Sequence, residues 1–423
     1  MKILVVGSGG REHAVIFKLK ESQHKTDIYA APGNGGIASL ATCLNIGADD
    51  IDGVVDFSLA NNIDLVVVTP DNPLVEGMVD ALEKNGIKAF GPKKAGALLE
   101  GSKSFAKAFM RKYQIPTADY EEFTDYEAAR LYLEKQDKFP LVIKADGLAL
   151  GKGVIIALNR EEALQAAKDI LQNNQFGKSG DKIIVEEFLT GPEVSVMAFT
   201  DGKTIKILST SMDYKRSHDN NEGLNTGGMG AIAPHPLFNS ELSRKCYKHI
   251  FLPTINGLKS EGIQYKGILY FGIILTASGP YVLEYNCRFG DPETQVVLPL
   301  LDGDLLEIIL AVCDERLASV TFKQKEASAA CVIMASKGYP SQYQTGYIIS
   351  GVPLLQNKTD LMICQAGTKI EGSDLKTSGG RVLGVSALGS NLEEAVARAY
   401  QGVAQINFDN AYFRNDIGKH WRP

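Results

Sequence analysis

The stretch Leu141-Val142-Ile143-Lys144-Ala145-Asp146-Gly147-Leu148-Ala149-Leu150-Gly151-Lys152-Gly153-Val154 decides how the rest of this chain is read. Its apolar opening predicts a short buried strand ending on Lys144, then a loop with Gly147, Gly151 and Gly153, then a second strand from Val154. Glycines let backbone N–H groups close over phosphate oxygens, and a lysine on a rigid strand supplies a fixed point charge. The same spacing also fits a β-hairpin with a solvated Lys144, so the choice rests on two further strands of the chain.

In the first of them, Ile183-Ile184-Val185-Glu186-Glu187-Phe188-Leu189 predicts an apolar strand that ends in paired carboxylates, with Glu193 just beyond. Acidic side chains accept hydrogen bonds from ribose hydroxyls, which suits a nucleotide, although an exposed strand end would look the same. The second lies in Leu283-Glu284-Tyr285-Asn286-Cys287-Arg288-Phe289-Gly290-Asp291-Pro292-Glu293-Thr294-Gln295. Glu284 and Asn286 alternate onto one face of a strand. A carboxylate and an amide carbonyl are hard oxygen ligands, and Mg²⁺ prefers few protein ligands beside nucleotide phosphates. Arg288 stays in phase with them if the chain remains extended, and could neutralise a transferring phosphoryl group or an acyl phosphate.

Two other phosphate-binding patterns fail on spacing. Gly7-Ser8-Gly9-Gly10 follows a strand, but Glu12 stands where a dinucleotide fingerprint needs its third glycine. No acidic residue ends the second strand near Tyr29-Ala30-Ala31, so a nicotinamide site is disfavoured. The loop is still expected to offer free N–H groups and a positive helix end to some phosphate. Gly177-Lys178-Ser179 mimics the end of a P-loop, but Gln172 replaces the required glycine and no strand leads into it, so an exposed turn is expected.

Working outward, residues 2–6 and 64–68 are short apolar runs, each followed by a turn and a helical pattern, which predicts a parallel α/β layer at the start of the chain. Ligands bind at the carboxyl ends of such strands. A break at Phe90-Gly91-Pro92 precedes a helix opened by Glu100-Gly101-Ser102-Lys103-Ser104-Phe105. Residues 116–189 alternate strand and helix. A long polar loop spans 213–230, a helix is expected over 240–260, and strands over 267–276 and 281–285. A strand-rich stretch begins at Ala329 and closes with a helix over 392–405, as a separate C-terminal lobe would.

The bulk properties agree with a packed multidomain enzyme: 423 residues, 44% hydrophobic and 22% charged. A net charge of −6 without runs of like charge argues against nucleic acid as a partner. The six cysteines lack zinc or redox spacing. No signal-peptide core and no stretch near the roughly 20 apolar residues of a membrane span is present, so no membrane partner and a cytoplasmic location are expected.

The lysine strand with its glycine loop, the Glu186-Glu187 strand and the Glu284-x-Asn286 strand, in that order, resemble the ATP-grasp fold. Within it, Gly7-Ser8-Gly9-Gly10-Arg11-Glu12-His13, Ala31-Pro32-Gly33-Asn34, Asn225-Thr226-Gly227-Gly228-Met229-Gly230, Thr377-Ser378-Gly379-Gly380-Arg381-Val382 and the string from Asn286 to Gln295 resemble the phosphoribosylamine-glycine ligase family from end to end. The resemblance implies an α/β and α+β architecture. An N-terminal parallel α/β domain (1–100) would precede a central ATP-grasp region (101–325), with 116–190 as a mobile ATP-clamping lobe, and a small C-terminal mixed lobe (326–423). It implies a monomeric ligase of de novo purine biosynthesis. ATP would phosphorylate glycine, and the amine of 5-phosphoribosylamine would attack the glycyl phosphate to give glycinamide ribonucleotide, ADP and phosphate.

Carried onto this chain, the resemblance implies ATP and Mg²⁺ (or Mn²⁺) as cofactors, with metal on Glu284 and Asn286. Lys103, Lys144, Gly147, Gly151 and Gly153 would hold phosphates, and Glu186, Glu187, Leu189 and Glu193 would line the adenosine pocket. Arg288, Lys144 and Asp213 would be catalytic. Gly10, Arg11, Gly33, Asn34, Lys215, Arg216, Asn225, Thr226, Gly227, Asp291, Pro292 and Thr294 would bind the sugar phosphate and glycine. Thr69, Asp71, Leu150, Tyr214, Leu224 and Ser378 depart from the family pattern, which puts fine substrate positioning in doubt. The rival readings are another ATP-grasp carboxylate-amine ligase or carboxylase, a nicotinamide-dependent oxidoreductase, and a catalytically silent nucleotide-binding scaffold.

Overall fold

The computed structural model describes residues 1–149, 153–355, 358 and 360–419. The chain opens with a five-stranded parallel sheet in the order Thr42–Cys43, Asp27–Pro32, Lys2–Gly7, Leu65–Val68, Ala89–Phe90. Its central strands are apolar on both faces because both are covered. Ile3, Val5, Leu65 and Val67 face a core built with the helices Gly10–Lys20 and Thr294–Leu300. Leu4, Val6, Val66 and Val68 face the opposite core, built with Ile51–Asn61 and Met78–Lys84.

A second, antiparallel sheet runs Tyr120–Phe123, Ile183–Glu187, Leu141–Ala145, Val154–Ala157. The helices Tyr126–Leu133 and Arg160–Leu171 cover one face, packing Leu133, Ala163, Ala167 and Ile170 against Ile143, Ala145, Ile183 and Val185. Successive side chains on a strand point to opposite faces. Committing Ile143 and Ala145 to the helices therefore turns Val142 and Lys144 the other way, together with Ile184 and Glu186 of the neighbouring strand.

A third sheet, Ile205–Ile207, Glu193–Thr200, Gly267–Thr276, Gly279–Asn286, packs on the helices Lys103–Lys112 and Leu252–Ser260. A register shift between Gly272 and Ile273 inserts an extra residue at Leu283, after which Glu284 pairs with Gly272 and Asn286 with Tyr270. That bulge turns Glu284 and Asn286 to the face opposite the core that holds Val282 and Tyr285. The helix expected over 240–260 is continuous except for a π turn at Tyr247–Phe251, just before Pro253, whose missing N–H forfeits an ordinary helical bond.

The last sheet holds the strands Met212–Asp213, Gly230–Ala233, Ser328–Ser336, Arg381–Gly389 and Leu361–Gln365 in order, with Ala411–Tyr412 added beside Ser328–Ser336. The C-terminal stretch is thus less separate than its sequence suggests, because two strands from the ends of the long polar loop complete its sheet. The helix Leu392–Val403 caps it through Ala395, Ala399 and Val403. Among the described residues no helix is long and apolar enough to cross a membrane.

Candidate active site

The second and third sheets face each other across a cleft of about 540 Å³, continued by an adjoining slot of about 170 Å³; Lys144, Val154, Glu186, Leu283 and Glu284 line both. The slot is walled by Val142, Ile156, Phe188, Leu189, Val194 and Ile273, with Glu187, Glu193 and Lys215 at its polar edge. The cleft is walled by charged and polar groups: Lys103, Lys107, Glu284, Asn286 and Arg288 from the central region, Arg11, Asp71 and Glu100 from the first domain, and Arg381 from the last.

Lys144 is 2.9 Å from Glu186 Oε2, and both side chains are buried. Burial alone would lower the Lys144 pKa, but Glu186 outweighs it and raises the pKa. Glu186 Oε1 is buried without a hydrogen-bond partner among the described residues, although Lys107 Nζ lies 3.3 Å away. Lys103 donates to the Gly147 carbonyl (3.0 Å), and its pKa is lowered by burial. Gly147 is itself fixed by Ser179: the Gly147 N–H donates to Ser179 O, and Ser179 Oγ donates to Leu148 O (2.7 Å). The Gly177–Gly180 turn, expected to be merely exposed, therefore anchors the start of the glycine loop. Gly153 lines the cleft, whereas Gly151 and its neighbours Leu150 and Lys152 lie outside the described residues.

At the far end of the Gly279–Asn286 strand the chain bends, so Arg288 reaches the cleft from a turn rather than from continued extension. Its Nη2 lies 3.1 Å from Glu100 Oε1 and donates to Asn286 Oδ1 (3.1 Å), while its buried Nε has no partner among the described residues. Glu100 also accepts from the Cys287 N–H (2.6 Å). Burial disfavours the charged guanidinium, but Glu100, Asp71 and Glu293 together raise the Arg288 pKa. Glu284 is exposed in the cleft beside it. Among the described residues no group of three or more His, Cys, Asp or Glu could hold a metal by itself. One open carboxylate and one amide oxygen, facing a cleft with room for a polyphosphate, is a donor set that fits Mg²⁺ sharing its shell with phosphates. Asn286 Oδ1 would have to share its lone pairs with Arg288.

The other wall comes from the long polar loop and the Asp291 turn. Arg381 pairs with Asp291 Oδ2 (3.0 Å) and donates to Asp291 O (2.8 Å) and Gly227 O (2.6 Å). Burial would raise the Asp291 pKa, but Arg381 and Arg11 hold it below the usual carboxylate value. Asn225, Thr226 and Gly227 line the cleft, and Tyr339 Oη accepts from the Gly227 N–H (3.1 Å).

Several expected substrate residues are not at the cleft. Asn34 spends its whole side chain on the protein: Nδ2 donates to Ser8 O and Gln365 O, and Oδ1 accepts from the Gly36 and Ile37 N–H groups. The first glycine loop is likewise closed. Glu12 folds back to accept from the Gly9 N–H (2.5 Å), Arg11 Nε (2.6 Å) and Thr69 Oγ1 (2.6 Å). The Gly9 N–H expected to await a phosphate is therefore already occupied by a carboxylate. Gly7, at φ +122, lies under that carboxylate, and a Cβ on Gly10 would meet Gln295 Nε2 at 2.7 Å, so both glycines serve close packing. Gly33 does not line the cleft either. Arg216 donates to Gly223 O (3.0 Å) within its own loop. Asp213 is buried against Lys215 (3.2 Å), and Thr294 is buried with its hydroxyl on Gly290 O (2.5 Å). Pro292 packs behind the turn beside Gly228. Lys215 lines the slot, 2.6 Å from Glu193.

Models of the phosphoribosylglycinamide synthetase N domain, ATP-grasp (A) domain and C domain match residues 1–100, 101–294 and 329–420 respectively. The chain belongs to the phosphoribosylglycinamide synthetase family. A relative in Caldanaerobacter subterraneus subsp. tengcongensis, a phosphoribosylamine–glycine ligase, is 47% identical over 417 residues, covering 99% of each chain. The crystal structure of phosphoribosylamine–glycine ligase from Thermotoga maritima superposes with a TM-score of 0.85 at 33% identity, covering 99% of this chain and 100% of that one. The biotin carboxylase domain of the Hydrogenobacter thermophilus 2-oxoglutarate carboxylase, solved with MgADP, shares the fold alone: TM-score 0.73 at 18% identity, covering 97% of this chain and 91% of that one.

Within this synthetase framework, the sequence reading missed Lys107, Glu100, Asp71, Tyr339 and Arg381 as cleft residues. Lys107 did leave a signal. It falls four residues after Lys103 and between Ala106 and Met110 on an otherwise buried helix face. Arg381 left only its place beside the paired glycines at 379 and 380, and Glu100 and Tyr339 left none.

Proposed function

We propose that this cleft performs the reaction of the phosphoribosylglycinamide synthetase family: ATP-dependent ligation of glycine to 5-phosphoribosylamine, giving glycinamide ribonucleotide, ADP and phosphate in purine biosynthesis. The observation that carries this reading is the convergence of Lys144, Glu284, Asn286 and Arg288 on one cleft beside an apolar slot. The slot suits a planar base, with Glu186, Glu187, Leu189 and Glu193 around adenosine. Lys103, Lys144 and the glycines at 147, 151 and 153 would hold the phosphates. Glu284 and Asn286 would hold Mg²⁺ or Mn²⁺, which supplies charge neutralisation between the phosphate oxygens when bound.

In the first step a glycine carboxylate oxygen attacks the γ-phosphorus and ADP leaves. In the second the amine of phosphoribosylamine attacks the acyl carbon, phosphate leaves and the amine sheds a proton. Arg288, fixed by Glu100 and Asn286, is placed to balance the charge of the glycyl phosphate. Arg11, Asn225 to Gly227, Asp291 and Arg381 form the wall for the sugar phosphate and glycine. Asp213 acts through Lys215 rather than on substrate.

The division into residues 1–100, 101–325 and 326–423, with 116–190 as a clamp that closes over ATP and keeps water from the acyl phosphate, belongs to the same reading, as do a cytoplasmic, monomeric enzyme and free small-molecule substrates. A coupled ADP-release assay on the full chain tests it. ADP should appear only when ATP, divalent metal, glycine and phosphoribosylamine are all present, and bicarbonate-dependent release instead would favour a carboxylase.

A further inference from the structure

Lys107 lies in the helix Lys103–Lys112 with its side chain 2% exposed, a place where an ammonium is costly unless it is paired. It donates to Thr117 Oγ1 (2.8 Å) and Ala118 O (3.2 Å), and sits 3.3 Å from Glu186 Oε1. The other oxygen of Glu186 is 2.9 Å from Lys144. One carboxylate is thus shared between two ammoniums, and the buried triad keeps one uncompensated positive charge at the cleft. Thr117 in turn donates to Val282 O (2.7 Å), on the strand that carries Glu284 and Asn286. Lys107 therefore stands where the chain enters the second sheet and is tied to both walls. Without its charge, Glu186 would belong to Lys144 alone, and the pair would face a polyphosphate as a neutral unit.

We propose that Lys107 is a positioning residue for the nucleotide: by sharing Glu186 with Lys144 it leaves the Lys144 charge available to the phosphates, and it fixes the clamping sheet against the strand Gly279–Asn286. This rests on the reading that Lys144 faces the ATP phosphates. The groups around Lys107 are Glu186 and Glu187 on one strand, Lys144 on the next and the Tyr120 ring on the edge strand, 5.6 Å from Nζ; Glu284 acts across the cleft on Lys144. Burial, opposed by Glu186 and reinforced by Lys144, brings Lys107 down to about 8. The protonated form favours ATP, so affinity is full below that pH and falls as pH rises through it.

The test is calorimetric titration of the full chain with MgATP, between pH 7 and pH 9, on the wild type, Lys107→Met, Lys107→Arg and Lys144→Met, with turnover measured alongside. Lys107→Met should weaken ATP binding at pH 7 on the order of tenfold. It should also lose the alkaline decline, while kcat at saturating ATP stays within about threefold. Lys107→Arg should restore binding and hold it to pH 9, because a guanidinium does not titrate there. Should Lys107→Met not fold, the wild-type and Lys107→Arg profiles decide. Flat wild-type affinity from pH 7 to pH 9, or wild-type binding by Lys107→Met, overturns the proposal. If Lys144→Met alone loses affinity, only the role of Lys107 fails; if Lys144→Met binds normally, the phosphate reading of the cleft fails with it.

Discussion

The glycine loop at Gly7 to His13 and the Lys144 to Arg288 constellation both read as ligand sites in the sequence, yet the structure spends them differently. In the first, donors and acceptors are paired within the protein: Glu12 takes the Gly9 N–H, Asn34 bonds through every polar atom, and His13 Nδ1 accepts from the Gln365 N–H (2.9 Å). In the second, Glu186 Oε1 and Arg288 Nε are buried without hydrogen-bond partners among the described residues, and Glu284 stands exposed beside them. Loops that pack close backbones and loops that hold phosphate both need glycine. Whether their polar groups are already committed separates the two. Disturbing the first region, apart from Arg11 at the cleft, should therefore cost stability, and disturbing the second should cost turnover.

The largest effect belongs to the second region. Arg288→Ala should lower turnover on the order of a thousandfold with circular dichroism little changed, and should lower the melting temperature because Glu100 loses its buried partner. Near-normal turnover would remove Arg288 from the reaction. Glu284→Ala should likewise abolish ligation, and partial recovery at raised Mg²⁺ would sharpen its role as a metal ligand.

In the first region, burial lowers the His13 pKa to about 4, against its usual value near 6.5. Between these values the unfolded chain binds the proton and the folded chain does not. Stability is thus full above the unfolded pKa and falls as pH drops towards the folded one, by on the order of 3 kcal/mol. Urea denaturation at pH 7 and pH 4.5 should show the loss, and His13→Asn, which retains an acceptor without titrating, should reduce it. An unchanged slope in the variant would place the acid sensitivity elsewhere.

Asn34→Ala should cost about 2 kcal/mol of stability and leave the KM for glycine unchanged, since the side chain ties backbone groups together rather than facing the cleft. A raised KM with unchanged stability would break the comparison. Smallest of all, Thr69→Val removes a buried hydroxyl that bridges Val6 O and Glu12, and should cost about 1 kcal/mol without affecting turnover.

That Lys144 and Glu186 line one cleft with Glu284 and Asn286 was legible because strand alternation is local, but the sequence set Glu186 beside adenosine and did not show it held between Lys144 and Lys107. Glu187, Leu189 and Glu193 were legible only through their nearness in sequence to the strand end at Glu186, and they line the adjoining slot. The opposite wall of the cleft was not, because it is made by contacts across long separations, such as Arg381 on Gly227 and Asp291, or Tyr339 on Gly227. The joining of Met212–Asp213 and Gly230–Ala233 to the C-terminal sheet escaped the sequence for that reason too. Glu12 was informative in a limited way: its presence excluded a dinucleotide fingerprint, but its return to the Gly9 N–H, with Thr69 behind it, needed the fold.

The most direct test of the central claim is the stoichiometry of ADP release against amide formation on the full chain, supplied with ATP, Mg²⁺, glycine and freshly formed 5-phosphoribosylamine. A cleft built for a glycyl phosphate predicts one ADP for each glycinamide ribonucleotide, with release abolished when glycine is left out. ATP cleavage that proceeds unchanged without glycine, or binding of ATP with no glycine-dependent turnover, would contradict it.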